Sequence, residues 1–358
     1  MNKCLMLDIG AGTLDVLYYD IDSGVHYKAV VKSPVVHTAE KILGLEGDLL
    51  ITGCEMGGGP ISAVLKRRAQ AAEVIMSVSS AATIHHNLNK VRSWGITVIE
   101  DLDADDLRKN RKYSHLTIGD LDVERLKCII KGFGVPFEFD VMGICAQDHG
   151  VAPPHVSHLD HRHNIFQASL DENPFPHTLL YKKGEIPGTF NRLISIADSA
   201  KGFPVSEAYV MDSGMAAILG SSMDLQAISK ERVLILDVAT SHTLGAAIEG
   251  GEIAGFFEYH THDITLERVE SLLVELADGK LEHKQILKEG GHGVYMRKAF
   301  GFQNVDVIVA TGPKRSLVKN TRLPIVMGAP LGDNMMTGAV GVLEAIRRRK
   351  GLKPILYV

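Results

Sequence analysis

The chain lacks the marks of several common protein classes. It has four cysteines in 358 residues, Cys4, Cys54, Cys128 and Cys145, scattered singly and mostly within apolar segments. That spacing supports neither a disulfide scaffold nor a clustered metal site, so buried free thiols in a reducing compartment are expected. No apolar run approaches the roughly 20 residues that a membrane helix needs. No signal peptide is read at the start, because Asp8 interrupts any apolar opening and no cleavage pattern follows. A soluble cytoplasmic protein without membrane contact is expected. Charge of one sign is also missing: 38 Lys and Arg against 43 Asp and Glu leave a net −5, which argues against a nucleic-acid surface. The one basic run, Arg347–Lys350, closes a predicted helix and complements its dipole.

What is present is concentrated in Leu5–Asp20, LMLDIGAGTLDVLYYD. Asp8, Gly10, Ala11, Gly12, Thr13 and Asp15 form D-x-G-A-G-T-x-D. Two glycines allow consecutive backbone N–H groups to converge on an anion. Thr13 adds a hydroxyl, and Asp8 is placed to hold hydrated magnesium beside the phosphates. A dinucleotide fingerprint would need a third small residue and then a helix. Here Asp15 takes that place, and the β-branched and aromatic Val16–Tyr19 reads as a strand. The turn is therefore a phosphate-binding hairpin, not a Rossmann turn.

Three strands in series, near Lys3–Asp8, Leu14–Asp20 and His26–Lys32, are followed by βα units through Ile99, which predicts a mainly parallel sheet. The charged stretch 101–136 reads as surface helix. Phe137–Ala146 reads as a buried strand ending in Gln147-Asp148-His149-Gly150. The stretch 151–201, rich in Pro, His and Asn, reads as an irregular active-site cap. A second three-strand meander follows at Val233–Asp237, Thr243–Glu249 and Glu252–Tyr259, then a helix from about Thr265 to Ala277, later strands, and a closing helix from Asp333 to Arg349. The expected organisation is two lobes, 1–222 with an irregular insertion around 101–201, and 223–358.

The hairpin Asp8–Asp15 and the repeated meander resemble the actin-like ATPase superfamily, which includes sugar kinases, acetate kinase, heat-shock chaperone ATPases and activators of dehydratases. The resemblance implies an α/β, two-lobed, ribonuclease H-like fold with ATP and Mg2+ in the cleft between lobes. It implies that Asp237 helps Asp8 hold the metal, and that Asp237–Thr243 is the second phosphate loop. The usual glycines there are replaced by Ala239, Thr240 and Ser241, whose hydroxyls could donate instead. It also implies an adenosine turn at Thr311-Gly312-Pro313-Lys314, where Pro313 replaces a second glycine. Two helices with small residues, Asp212–Ser222 and the last one with Gly338 and Gly341, would cross beneath the cleft. Gly220 could be merely a tolerated glycine at a frayed end. In sugar kinases of the superfamily an Asp placed like Asp148 takes the acceptor's proton. Asp148 would then act as base with His149 orienting it, unless it simply caps a turn.

Over nearly its whole length, in TGCEMGGGP, AQDHG, EYHTHDIT and ATGPKR, the chain is also similar to a prokaryotic family labelled as pyruvate formate-lyase activating proteins. Radical S-adenosylmethionine activases hold their cluster on C-x-x-x-C-x-x-C, and no two cysteines here are that close. Such an activase is not expected. Gly57-Gly58-Gly59 precedes a helix and could hold a substrate anion at its N-terminus, or be a plain helix entry. His155, His158, His161 and His163 could bind zinc or iron if the loop folded round an ion, and are otherwise solvated. The expected activity is ATP hydrolysis or phosphoryl transfer to a small-molecule acceptor. The rivals are a non-catalytic nucleotide sensor acting on a partner enzyme and a metal-dependent enzyme using the histidine loop.

Overall fold

A computed structural model describes residues 2–358. Strands β1 (Lys3–Ile9), β2 (Thr13–Asp20) and β3 (His26–Lys32) form an antiparallel meander. An inserted parallel sheet follows, made of β4 (Asp48–Gly53), β5 (Val74–Ser77), β6 (Ile96–Ile99) and β7 (Tyr113–Ile118) in the order β6-β5-β4-β7. The chain then returns to the first sheet with β8 (Phe139–Ala146), β9 (Leu180–Tyr181) and β10 (Val205–Asp212), giving the order β3-β2-β1-β8-β10-β9.

The second lobe repeats this plan. Its strands are β11 (Arg232–Val238), β12 (His242–Glu249), β13 (Glu252–His260), β14 (Gly293–Met296), β15 (Val307–Thr311) and β16 (Ile325–Met327), in the order β14-β13-β12-β11-β15-β16. In each lobe an antiparallel meander is extended from its first strand by two parallel strands: β8 and β10 beside β1, β15 and β16 beside β11. This duplicated arrangement is the actin-like fold that the paired meanders imply.

Local chemistry accounts for the elements that matter most. Thr265 caps the helix Leu266–Ala277 by accepting from the Arg268 N–H, and Val269, Leu272, Leu273 and Leu276 recur at helical spacing and are fully buried. Burying each such side chain contributes at most about 1.5–3 kcal/mol. The helices Ser213–Ser222 and Thr337–Arg349 cross at glycine. A Cβ on Gly220 would overlap the Thr337 carbonyl oxygen, and one on Gly341 would overlap that of Ala216. Gly220 is therefore a packing requirement rather than a frayed end. The closing helix also packs on β1 and β8 of the first lobe, so the chain's last helix ties the two halves together. The basic run is taken up in ion pairs, Arg347 and Arg348 with Glu344 at 2.6 and 2.7 Å and Lys350 with Glu207 at 2.6 Å.

Three expectations are corrected. The stretch 101–136 is not only helical: β7 runs through it, an edge strand whose polar YSHLTI hides it. The stretch 151–201 is not irregular, for it contains the helices His158–Glu172 and Asn191–Ser199. Ser157 caps the former by accepting from the Asp160 N–H, and its core face carries Arg162, Phe166 and Leu170. A charged residue in that stripe masks the apolar period. Of the cysteines, Cys4 and Cys145 are buried and Cys54 is half-buried, but Cys128 is exposed on the helix Val123–Gly132.

Candidate functional site

A cleft of about 620 Å³ is lined by both lobes and by the inserted sheet's domain. On its floor the β1–β2 hairpin contributes Asp8, Gly10, Ala11, Thr13 and Asp15. The turn closes with the Gly10 N–H donating to the Thr13 carbonyl at 2.9 Å. Ser33 fixes it from the side: its N–H donates to the Gly12 carbonyl at 3.0 Å and its hydroxyl to the Ala11 carbonyl at 3.0 Å, while the same hydroxyl caps the helix Pro34–Gly44.

The second lobe meets this turn directly. A Cβ on Gly12 would stand 3.2 Å from both Cγ2 and Oγ1 of Thr240, so glycine leaves the space that the opposing loop occupies. The loops after β1 and β11 thus face each other. Asp237, Ala239, Thr240 and Ser241 all line the same cleft.

Two carboxylates lie at equivalent places in the lobes. Asp8 ends β1 beside Cys145 of β8, and Asp237 ends β11 beside Thr311 of β15. Asp15 stands opposite Asp8 across the hairpin. Burial pushes the Asp8 carboxyl up to about 7, with Asp237 adding to the rise and a hydrogen bond to Cys145 opposing it. Asp15 is pushed up to about 8 by burial and then by Asp8. Burial raises Asp237 to about 6 against a 2.9 Å hydrogen bond from the Thr311 hydroxyl. The Asp15 Oδ1 is buried without a hydrogen-bond partner. Carboxylates held short of cations in one cleft are hard oxygen donors, which suit magnesium. Gly338 completes the packing, because a Cβ there would overlap the Asp8 carboxylate.

Of the turn expected to hold adenosine, Gly312 and Pro313 line the cleft and Thr311 and Lys314 do not. Gly312 lines the cleft with φ +87°, and its carbonyl accepts from Asn334 at 3.1 Å. Thr311 is fully buried and bonds Asp237 and Ser221, so it supports a carboxylate rather than facing a ligand. Lys314 is exposed and outside the cleft lining, and its N–H donates to the Val238 carbonyl at 2.9 Å.

At the far end, Gly57, Gly58 and Gly59 line the cleft with Glu55, His86, Asp148, His149 and Arg192. A Cβ on Gly58 would overlap the Thr83 carbonyl, so this is a tight entry to the helix Gly59–Arg68 as well as a cleft wall. His86 bonds Glu55 at 2.8 Å. The Asp148 carboxylate is buried and accepts from the Gly150 N–H at 2.8 Å and the Leu193 N–H at 3.0 Å. Burial raises its pKa against those two bonds. Both oxygens of Asp148 therefore hold backbone, and the exposed His149 ring is the freer group of the two.

Sequence reasoning missed the latch between the lobes. Arg162 reaches Asp212 at 2.9 Å and Glu258 at 2.7 Å, all three buried, and Gln147 donates to Glu258 at 2.6 Å. Burial alone would raise Glu258, but Arg162, His292 and His242 outweigh it and hold it well below the usual carboxylate range. The four loop histidines do not converge. His155 is exposed, His158 reaches the Gly150 carbonyl at 3.4 Å, His161 has a buried unpartnered Nε2, and His163 stacks on His283.

A family model described as "Putative pyruvate format-lyase activating enzyme (DUF1786)" matches residues 56–317, and the chain belongs to that family. No curated protein matches it. Among solved structures it is similar to an inorganic polyphosphate/ATP-glucomannokinase from Arthrobacter sp. strain KM (11% identity, 97% of this chain and 100% of that one, TM-score 0.35). It is also similar to the activator of the 2-hydroxyisocaproyl-CoA dehydratase from Clostridium difficile (9% identity, 99% of each chain, TM-score 0.32) and to a PilM–PilN type IV pilus biogenesis complex (12% identity, 98% and 99%, TM-score 0.39). At this distance none of them carries a substrate over. No helix among the described residues is long and apolar enough to cross a membrane.

Proposed function

We propose that the cleft binds magnesium–ATP and transfers its terminal phosphoryl group to a small-molecule acceptor or to water. The observation that carries this reading is the apposition of Gly12 and Thr240 above two equivalent carboxylates, Asp8 and Asp237. Asp8 and Asp237 would hold the magnesium ion, which when bound neutralises phosphate charge. The Gly10–Thr13 turn and the Thr240 and Ser241 hydroxyls orient the phosphates. Catalysis of this kind is mainly positioning and charge neutralisation, which such a rigid two-sided cradle supplies. The acceptor end is bounded by Gly57–Gly59, Arg192 and His149, though burial and Arg162 lower the His149 imidazole to about 3 and make it a weak base.

One observation favours a second reading, a nucleotide sensor that acts on a partner enzyme. Asp148, the base that the superfamily resemblance implies, is engaged by two backbone N–H groups. Thermal-shift titration with ATP and Mg2+, with Asp8→Ala as control, tests binding: a shift in the wild type that the variant loses is expected. Steady-state ADP release with a panel of sugars and small acids then separates the readings. Turnover raised by an acceptor supports transfer; tight binding with none supports sensing. Absence of any nucleotide shift would overturn both.

A further inference from the structure

We propose that His242, His260 and His292 form a divalent transition-metal site, with zinc the occupant their donor type favours, on the second lobe's wall of the cleft. These three residues are separated by long stretches of sequence and meet only through the sheet. His242 opens β12 and His260 ends β13, and the two are direct cross-strand partners. His292 precedes β14 and is fixed there by its N–H, which donates to the Glu258 carbonyl at 2.8 Å. One ring nitrogen from each lies within 4.8 Å of the others, the one such group of three among the described residues.

The ring geometry points to an ion rather than to packing. The Nε2 atoms of His260 and His292 are 3.1 Å apart. Two imidazoles sharing a tetrahedral zinc, with Zn–N about 2.0–2.1 Å, place their nitrogens roughly 3.3 Å apart. Ser241 bonds His242 Nδ1 at 2.9 Å, which leaves His242 Nε2 buried with no partner. Behind His292, Glu258 stands 3.4 Å from Nδ1, which has no other partner and makes no direct hydrogen bond at that distance. A carboxylate behind a ligating histidine fixes the ring and raises its basicity. That carboxylate is itself anchored by Arg162 and Gln147.

Three imidazoles leave a fourth position, the arrangement of an open rather than a closed zinc site. His242 and Glu258 line the cleft, and the His149 ring lies 5.8 Å from that of His292. Water, or an oxygen anion of a cleft ligand, would complete the coordination. The site uses none of the residues assigned to magnesium, so it stands or falls independently of the nucleotide reading.

The test is titration of chelator-stripped full-length protein with Co2+, followed by displacement with Zn2+. One equivalent of Co2+ is expected, with visible d–d bands that zinc abolishes, and plasma mass spectrometry should find one zinc per chain after desalting. His260→Ala and His292→Ala should each weaken binding at least 100-fold, and Glu258→Gln about 10–100-fold. His262→Ala, whose ring is exposed, should bind as the wild type does. Circular dichroism confirms that the variants fold; should His292→Ala not fold, the half-exposed His260→Ala decides the matter. The absence of a stoichiometric cobalt spectrum, or a spectrum unchanged in a folded His260→Ala, would overturn the site.

Discussion

The turns after β1 and β11 occupy equivalent places in the two lobes but are built from different chemistry. Both keep a carboxylate at the strand end, Asp8 and Asp237, and burial raises both. Only the first has glycine at its tip. The difference follows from their apposition: Gly12 leaves room into which Thr240 projects, so one side supplies backbone and the other supplies hydroxyls. A duplicated fold need not conserve its loops symmetrically, because a shared cleft requires that the two sides fit each other. The carboxylates are different. Each would neutralise the same ion, and neither can take over the other's position.

The comparison breaks first at the carboxylates. Asp237→Ala should weaken Mg2+-dependent ATP binding about as severely as Asp8→Ala, roughly 100-fold each by calorimetry, since each loses a charge-assisted contact. A mild effect at Asp237 alone would mean that the second loop is not part of the metal site. Next is the seam. Gly12→Val should close against Thr240 and cost about 1–3 kcal/mol of nucleotide affinity, and Thr240→Gly in the same chain should restore much of it. Failure of that rescue would show that the loops do not adjust to one another.

The smallest expected effect is with pH. Asp8, Asp15 and Asp237 hold their protons up to about 7, 8 and 6 in the empty protein. Since the folded state binds these protons more tightly than the unfolded chain, the stability they add is complete below the ordinary carboxylate value and is lost as pH rises from about 4 through the folded values of 6–8. Magnesium requires the ionised forms, so its affinity should rise roughly tenfold from pH 6 to pH 8. Melting curves with and without Mg2+ across that interval check both signs. The metal-free protein should lose stability as pH rises and the loaded protein should gain on it.

How much was legible depends on sequence distance. The first hairpin is local: within eight residues it states its glycines, its hydroxyl and both carboxylates, and the structure brings Asp8, Gly10, Ala11, Thr13 and Asp15 to one cleft. The paired meanders were legible because β-branched and apolar residues repeat in the same order before each βα half. The helix His158–Glu172 was not, because Arg162 occupies its core stripe and satisfies that burial only through Asp212 and Glu258 from other elements. Lys314 belongs to a turn motif in sequence, but in the structure it is exposed and outside the cleft lining.

From its order of residues alone, this chain settles the two repeated meanders, the glycine hairpin between two carboxylates and the small-residue helices, because strand, turn and close-packing signals act over a few neighbours. Tertiary structure alone decides that Thr240 fills the space above Gly12, that Arg162 is neutralised across the lobes, and that three histidines from β12, β13 and the entry to β14 share one point. Those outcomes depend on sheet register and on partners far away in the chain, and no local pattern encodes which distant side chain will stand opposite.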